Sequence, residues 1–233
     1  MTTTKSSDQL CMELSAESPH CLLAFSCGKD SVGAWIQTRR YFRDVVPFFC
    51  WLVPGLIFEE NYIDYAEKHF GSSVRRYPHP SVGRLLANQV FSAPENRGEF
   101  DHIEPYTYQQ LYAHIRDELA LDGCLTAVGV RSADSIFRRS AIMKTGGVNR
   151  IKGEFYPCHD WNADRLESEI RNEGIKLPVD YVIWGRSFDG VDQRFMGPMR
   201  ERLPEDFERV RRMYPLCVAD IKRQKWRAKY AGR

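Results

Sequence analysis

The sequence predicts an α/β protein built on a doubly wound, mainly parallel sheet flanked by helices, and three stretches carry that prediction. Residues 21–25 form a short continuous apolar run, as expected for a strand buried on both faces. The run passes through Ser26, Cys27 and Gly28 into a segment from Val32 to Phe42 whose bulky apolar residues recur at helical spacing. The same order returns over residues 45–52 and 59–70, and a helix over 106–120 then leads through Asp122 and Gly123 into an apolar run over 124–130. Strands alternating with helices make a parallel sheet the default, with ligands held beyond the carboxyl ends of the strands.

The remaining elements follow in order. Residues 1–19 are rich in Thr, Ser and charge and read as a flexible arm or short leading helix. The main domain is expected over 20–200, with a basic helical extension over 201–233. Val53-Pro54-Gly55 ends the second strand, and Gly71 ends the helix after it. A third strand over 74–77 precedes Pro78-His79-Pro80-Ser81 and an irregular stretch holding Pro94, Gly98 and Pro105, expected as an excursion over the site.

With 233 residues, 43% hydrophobic and 27% charged, the chain can bury a full core and is not a disordered protein. A formal net charge of +2 gives no strong overall field, so its local distribution says more. In the tail, Lys222, Arg223, Lys225, Arg227, Lys229 and Arg233 have no acid among them and interleave with Trp226 and Tyr230. That pattern fits a nucleic-acid partner; it also fits a solvated helix whose two rings pack on the domain, the reading preferred here. The start is polar and no apolar run nears membrane-spanning length, so neither a signal peptide nor a membrane partner is expected, and a cytoplasmic location is. The seven cysteines, at 11, 21, 27, 50, 124, 158 and 217, include no Cys-x-x-Cys pair and read as reduced thiols, with no zinc or iron–sulfur cluster expected.

The turn between the first strand and helix carries the chemistry. A strand, a tight turn at Gly28 and a helix N-terminus leave backbone N–H groups pointing one way, and Lys29 adds a full positive charge. Ser26-Cys27-Gly28-Lys29-Asp30-Ser31 therefore suits phosphate, with Asp30 or Ser31 the expected N-cap. It is not a Walker A loop, since Leu23 stands where that motif has its first glycine and Asp30 follows the lysine. Gly129-Val130-Arg131 leaves the same sheet edge, followed by Ser135, Arg138 and Arg139. Arg131, directly after a buried strand, is expected to bring its guanidinium to the loop for a bidentate phosphate contact.

Loop 26–31 resembles the Ser-x-Gly-x-Asp-Ser pyrophosphate loop (PP-loop) of the nucleotide α-hydrolases, in the form seen in phosphoadenosine phosphosulfate (PAPS) reductases and their relatives. The spacing of Arg131, Ser135 and Arg138, the Pro157-Cys158-His159-Asp160-Trp161 segment before a helix near Asp164, and Leu177-Pro178 with Tyr181 resemble further motifs of that family, in order from about 21 to 184. Leu52-Val53-Pro54-Gly55-Leu56, Pro78-His79-Pro80-Ser81 and Gly185-Arg186-Ser187-Phe188-Asp189-Gly190 look like the PAPS-reductase-like proteins that bacteriophages encode.

The resemblance implies a Rossmann-like fold of the adenine nucleotide α-hydrolase type. It implies that ATP or another adenine nucleotide binds, with magnesium, through Ser26, Cys27, Gly28, Lys29, Asp30, Ser31, Arg131 and Ser135, and that Asp30 reaches the nucleotide-bound ion. Lys29, Arg131 and Arg138 are the implied catalytic residues. Asp189, in a turn dense in charge, is a further candidate that would orient an acceptor, bind a metal or fix a second phosphate; the alternative is a surface turn tied by its own ion pairs.

The chain departs from the sulfonucleotide reductases at their key residue. Their C-terminal Glu-Cys-Gly-hydrophobic-His segment is missing, and Cys217 sits among apolar neighbours with nothing to lower its pKa. Cleavage between α- and β-phosphates with adenylation of an acceptor is therefore the first expectation. A reductase using Cys217 or Cys27 is second, and a non-catalytic nucleotide-binding module acting with nucleic acid is third.

Overall fold

The structure, a computed structural model, describes residues 5–92, 100, 102–219, 223, 226 and 230. The chain divides into two compact units. The first holds Met1–Cys50, Ile63–Tyr77 and Thr107–Leu177; the second holds Trp51–Tyr62, Pro78–Tyr106 and Pro178–Arg233.

The fold is α/β, as the alternating pattern predicts. In chain order its elements are α1 (Ser7–Glu17), β1 (His20–Ala24), α2 (Lys29–Thr38), β2 (Asp44–Trp51), α3 (Ile57–Phe70), β3 (Arg75–Pro78), α4 (Pro80–Ala87) and α5 (Tyr108–Leu119). They continue as β4 (Thr126–Val128), α6 (Ile136–Thr145), β5 (Val148–Asn149), β6 (Glu154–Phe155), α7 (Ala163–Glu173), α8 (Asp180–Trp184), α9 (Gln193–Arg202) and α10 (Pro204–Met213). The strands make one sheet in the order β3-β2-β1-β4-β6-β5. β1 is parallel to both β2 and β4, β4 is parallel to β6, and β5 returns antiparallel to β6.

This order places β1 at a reversal. The strands after it run outward first through β2 and β3, and the chain then crosses back to lay β4 on the other side. A crevice opens at such a switch point between the loops leaving the two central strands. Cys21, Leu22 and Leu23 are fully buried because β1 has a neighbour on both sides, with Leu23 opposite Pro47 of β2 and Ala127 of β4.

α2 is held on the sheet by close packing. A Cβ on Gly33 would lie 2.5 Å from Leu166 of α7 and 3.4 Å from the Trp161 ring, so a glycine lets the two helices meet. Trp35 is buried on the same helix, stacked on Phe70 at 4.2 Å between ring centroids and edge-on to Phe25 at 5.0 Å. Within the stretch read as an arm or short leading helix, α1 starts with a Ser6–Gln9 capping box and buries Leu10, Cys11 and Leu14. The Ser7 N–H donates to Asp160 Oδ2 at 3.1 Å, which ties α1 to the segment before α7.

The second unit has its own apolar core, in which Phe195, Met196 and Met199 of α9 meet Phe207 and Val210 of α10. Asp206 caps α3, accepting from the N–H groups of Ile57 at 2.5 Å and Phe58 at 3.3 Å. Glu59, one residue on, is buried with Oε2 lacking a hydrogen-bond partner among the described residues. Burial, and then the Asp180, Glu60 and Asp206 carboxylates, push its pKa well above the ordinary value.

Two expectations are corrected here. The stretch after β3, expected to be irregular, opens with α4: Pro80 occupies the first helical turn and His79 accepts the Ser81 N–H at 3.0 Å, so the proline starts a helix. Pro94 and Gly98 lie outside the described residues. In the tail, Trp226 and Tyr230 pack on each other at 4.9 Å and stay 64% and 37% exposed, so the pair does not bury on the domain. Lys222, Lys225, Arg227, Lys229 and Arg233 lie outside the described residues. No helix among the described residues is long and apolar enough to cross a membrane.

Candidate functional site

Loop 26–31 is braced from within. The Phe25 N–H donates to the Phe48 carbonyl at 2.9 Å, carrying the β1–β2 pairing one residue past the strand. Cys27 then takes a left-handed backbone at φ +59°, a conformation a side chain resists and the surrounding packing must impose. Gly28 returns to extended backbone and α2 begins at Lys29. The Ser31 hydroxyl donates to the Gly28 carbonyl at 2.8 Å and accepts the Ser26 N–H at 3.1 Å.

The N-cap is thus Gly28, and neither Asp30 nor Ser31 takes that place. The chain enters the helix earlier than the apolar spacing indicated, because Ser31 is used to brace the turn from inside it. Gly28 makes no side-chain cap hydrogen bond, so the positive end of the α2 dipole meets the sheet edge without a side-chain acceptor at its cap.

The loop leaving β4 presses directly on this helix end. A Cβ on Gly129 would lie 2.6 Å from the Asp30 carbonyl carbon and oxygen and 2.7 Å from the Ser31 nitrogen. Only glycine allows that approach without moving backbone.

Two residues later Arg131 enters a chain of ion pairs. Its Nε donates to Asp30 Oδ1 at 2.7 Å, its Nη2 lies 2.9 Å from Asp134 Oδ1, and Asp134 Oδ2 accepts from Arg138 Nη1 at 2.7 Å. The Arg131 side chain is only 7% exposed, and its Nη1 is buried without a hydrogen-bond partner among the described residues. The structure therefore does bring Arg131 to loop 26–31, but two of its donors hold carboxylates. Nε and one N–H of Nη2 are used in this way, and the two N–H groups of Nη1 and the second of Nη2 are the donors left over.

Asp134 was missed as a site residue. Its signal was its spacing, three after Arg131 and four before Arg138, which suits ion pairs across a helix start. Ser135 caps α6, its hydroxyl oxygen accepting the Arg138 N–H at 3.2 Å and its O–H remaining able to donate. Asp189 belongs to the second unit, is exposed and pairs with Arg186. In the same unit Asp192 forms a two-point pair with Arg194, at 3.0 and 2.8 Å, so this turn is tied by its own ion pairs.

The two cysteines considered as nucleophiles are both buried. Cys217 is 0% exposed within the second core, and burial pushes its thiol up to about 11. Cys27 is 3% exposed. A thiolate is the reactive species, and burial opposes its formation at Cys217.

Asp30 fits a magnesium ion delivered on a nucleotide only in part. Oδ1 is taken by Arg131, so one carboxylate oxygen remains, and the adjacent guanidinium weakens its pull on a cation. A phosphate-borne magnesium ion needs no more than one or two protein carboxylates.

No family model matches the chain, and no curated protein matches it. Among solved structures it is similar to the NH3-dependent NAD synthetase from Campylobacter jejuni subsp. jejuni NCTC 11168 in complex with the nitrate ion. That likeness has 13% identity and a TM-score of 0.46, over 91% of this chain and 92% of that one.

Proposed function

We propose that the chain is a PP-loop protein of the PAPS-reductase-like kind, which binds an adenine nucleotide at loop 26–31 and cleaves ATP between its α- and β-phosphates, adenylating an acceptor. The observation that carries the reading is the start of α2: a helix N-terminus without a side-chain cap, beyond the carboxyl end of β1 and at the sheet's reversal.

In this reading the first-turn amides and Lys29 hold the departing pyrophosphate. The acceptor's lone pair forms a bond to the α-phosphorus as the bond to the bridging oxygen breaks, and the electron pair leaves with pyrophosphate. Arg131 supplies a fixed positive charge whose position the two aspartates set, and its spare Nη1 is the donor toward phosphate. Arg138, half exposed at the end of the ion-pair chain, stands ready for the phosphorus under attack. Magnesium, when bound, would neutralise charge on the leaving group, with Asp30 Oδ2 as the protein ligand.

No protein nucleophile is needed. The burial of Cys217 in the second core supports this reading. Incubation with ATP, magnesium and candidate acceptors, followed by chromatography, tests the proposal. Pyrophosphate with AMP or an adenylated acceptor is the expected product pair, and phosphate with ADP would overturn it.

A further inference from the structure

Beyond Ser135 and Arg138, α6 and the turn after it carry exposed residues that the nucleotide reading does not use. Between Ser135 and Gly153 the chain carries Arg138, Arg139, Lys144, Arg150 and Lys152 and no acidic residue. Of the ten residues of α6 only Ile142 is buried. Ile136 is 79% exposed, Phe137 88%, Met143 67% and Ile151 98%. Large apolar side chains this bare, interspersed in sequence with cations, are not what a solvated helix requires.

The surface is joined to the phosphate loop by ion pairs. Asp134 links Arg138 at the head of α6 to Arg131, and Arg131 links to Asp30 in the first turn of α2. The carboxylates that bound it are already paired: Asp134 with Arg131 and Arg138, Glu17 of α1 with Arg150 at 2.7 Å, and Glu13 of α1, which lines a cleft with Met143 and Lys144, with Lys5. Arg139, Lys144 and Lys152 make no ion pair among the described residues and lie exposed.

We infer that this face binds a single-stranded nucleic acid and presents it as the acceptor. The inference rests on the adenylation reading only for the word acceptor; the binding stands alone. Charge complementarity selects the occupant: spaced cations match a phosphate backbone, and bare apolar side chains, with one aromatic ring, match unstacked bases. A duplex hides its base faces and would leave Phe137 and Ile151 in water.

The test is fluorescence anisotropy of the full chain with oligo-uridine and oligo-thymidine strands across a salt series. Heparin serves as a polyanion without bases. Wild type is expected to bind either or both strands with a salt-dependent affinity, and the two arms separate RNA from DNA. The triple variant Arg139→Glu, Lys144→Glu, Lys152→Glu is expected to lower the log–log salt slope by about 2, for three lost contacts to a single strand. Phe137→Ala is expected to weaken strand binding roughly tenfold and leave heparin binding unchanged, with Phe137→Trp restoring it.

Strand binding that is absent at low salt, or unchanged in the triple variant, would overturn the inference. So would a Phe137-dependent dimer in sedimentation without strand binding, which would assign the face to a second copy of this chain. Binding of a fluorescent ATP analogue, measured on the same variants, reports separately on loop 26–31. Loss of strand binding with intact nucleotide binding, or the reverse, shows which of the two proposals has failed.

Discussion

Arg131 Nε donates to Asp30 Oδ1 at 2.7 Å, joining residues 101 positions apart in sequence and locking the loop that leaves β4 to the first turn of α2. Because the guanidinium is buried and also serves Asp134, its removal strands Asp30 and leaves Asp134 with Arg138 alone. Arg131→Ala is expected to destabilise the protein by about 3 kcal/mol, the cost of breaking a buried pair. For a chain of this size that is roughly 6–12 °C in Tm. Arg131→Lys should rescue little, since an ammonium cannot reproduce the fork. Thermal melts check this; a Tm unchanged in both variants would show that the pair chain is incidental.

Gly129→Ala tests the contact between the two loops. The added methyl would sit 2.6 Å from Asp30 backbone, so one loop must move. A stability loss of about 1–3 kcal/mol is expected, with nucleotide affinity down at least about tenfold. Gly33→Ala, whose methyl meets the movable end of Leu166 instead, is the comparison and should retain nucleotide binding. Equal effects in both binding titrations would refute a special role for position 129.

Glu59 makes stability depend on pH. Its carboxyl is held above its ordinary value of 4.5, by burial first and then by Asp180, Glu60 and Asp206. Such a group keeps its proton in the folded state where the unfolded chain has lost it, so stability falls as pH rises past about 4.5. Asp180 and Asp206, raised by burial, act in the same direction. Glu59→Gln stays neutral and is expected to flatten the slope, with a gain on the order of 1 kcal/mol in alkaline buffer and little change in acid. Melts across pH decide it: identical slopes for the two proteins would contradict the assignment.

Cys217→Ser should cost stability, because a hydroxyl replaces a thiol in an apolar core, and leave nucleotide binding intact. A thioredoxin-coupled sulfite assay is expected to show no reductase activity in either protein. Sulfite produced by wild type and lost in the variant would reinstate the reductase reading.

What the sequence revealed was set by how locally each feature is determined. β1, loop 26–31 and α2 were legible because an apolar run, a Gly-containing turn and helical spacing meet within about twenty residues. Gly129 and Arg131 were legible as a loop off the same edge, since parallel strands deliver their exits to one side. The fate of the Arg131 guanidinium was not, because it depends on Asp30, a partner supplied by tertiary structure. α4 was hidden because Pro80 is a start signal only when the preceding His79 caps it. The bare face of α6 was equally hidden: Ile136, Phe137 and Met143 look like core residues until the packing leaves them out.

The central claim is that loop 26–31 holds the phosphates of an adenine nucleotide, and calorimetric titration of ATP with magnesium into wild type and Lys29→Ala tests it most directly. The account predicts one-site binding in wild type and an affinity at least about tenfold weaker in the variant, with the variant still folded in a thermal melt. No binding by wild type, or equal affinity in the two proteins, would contradict it.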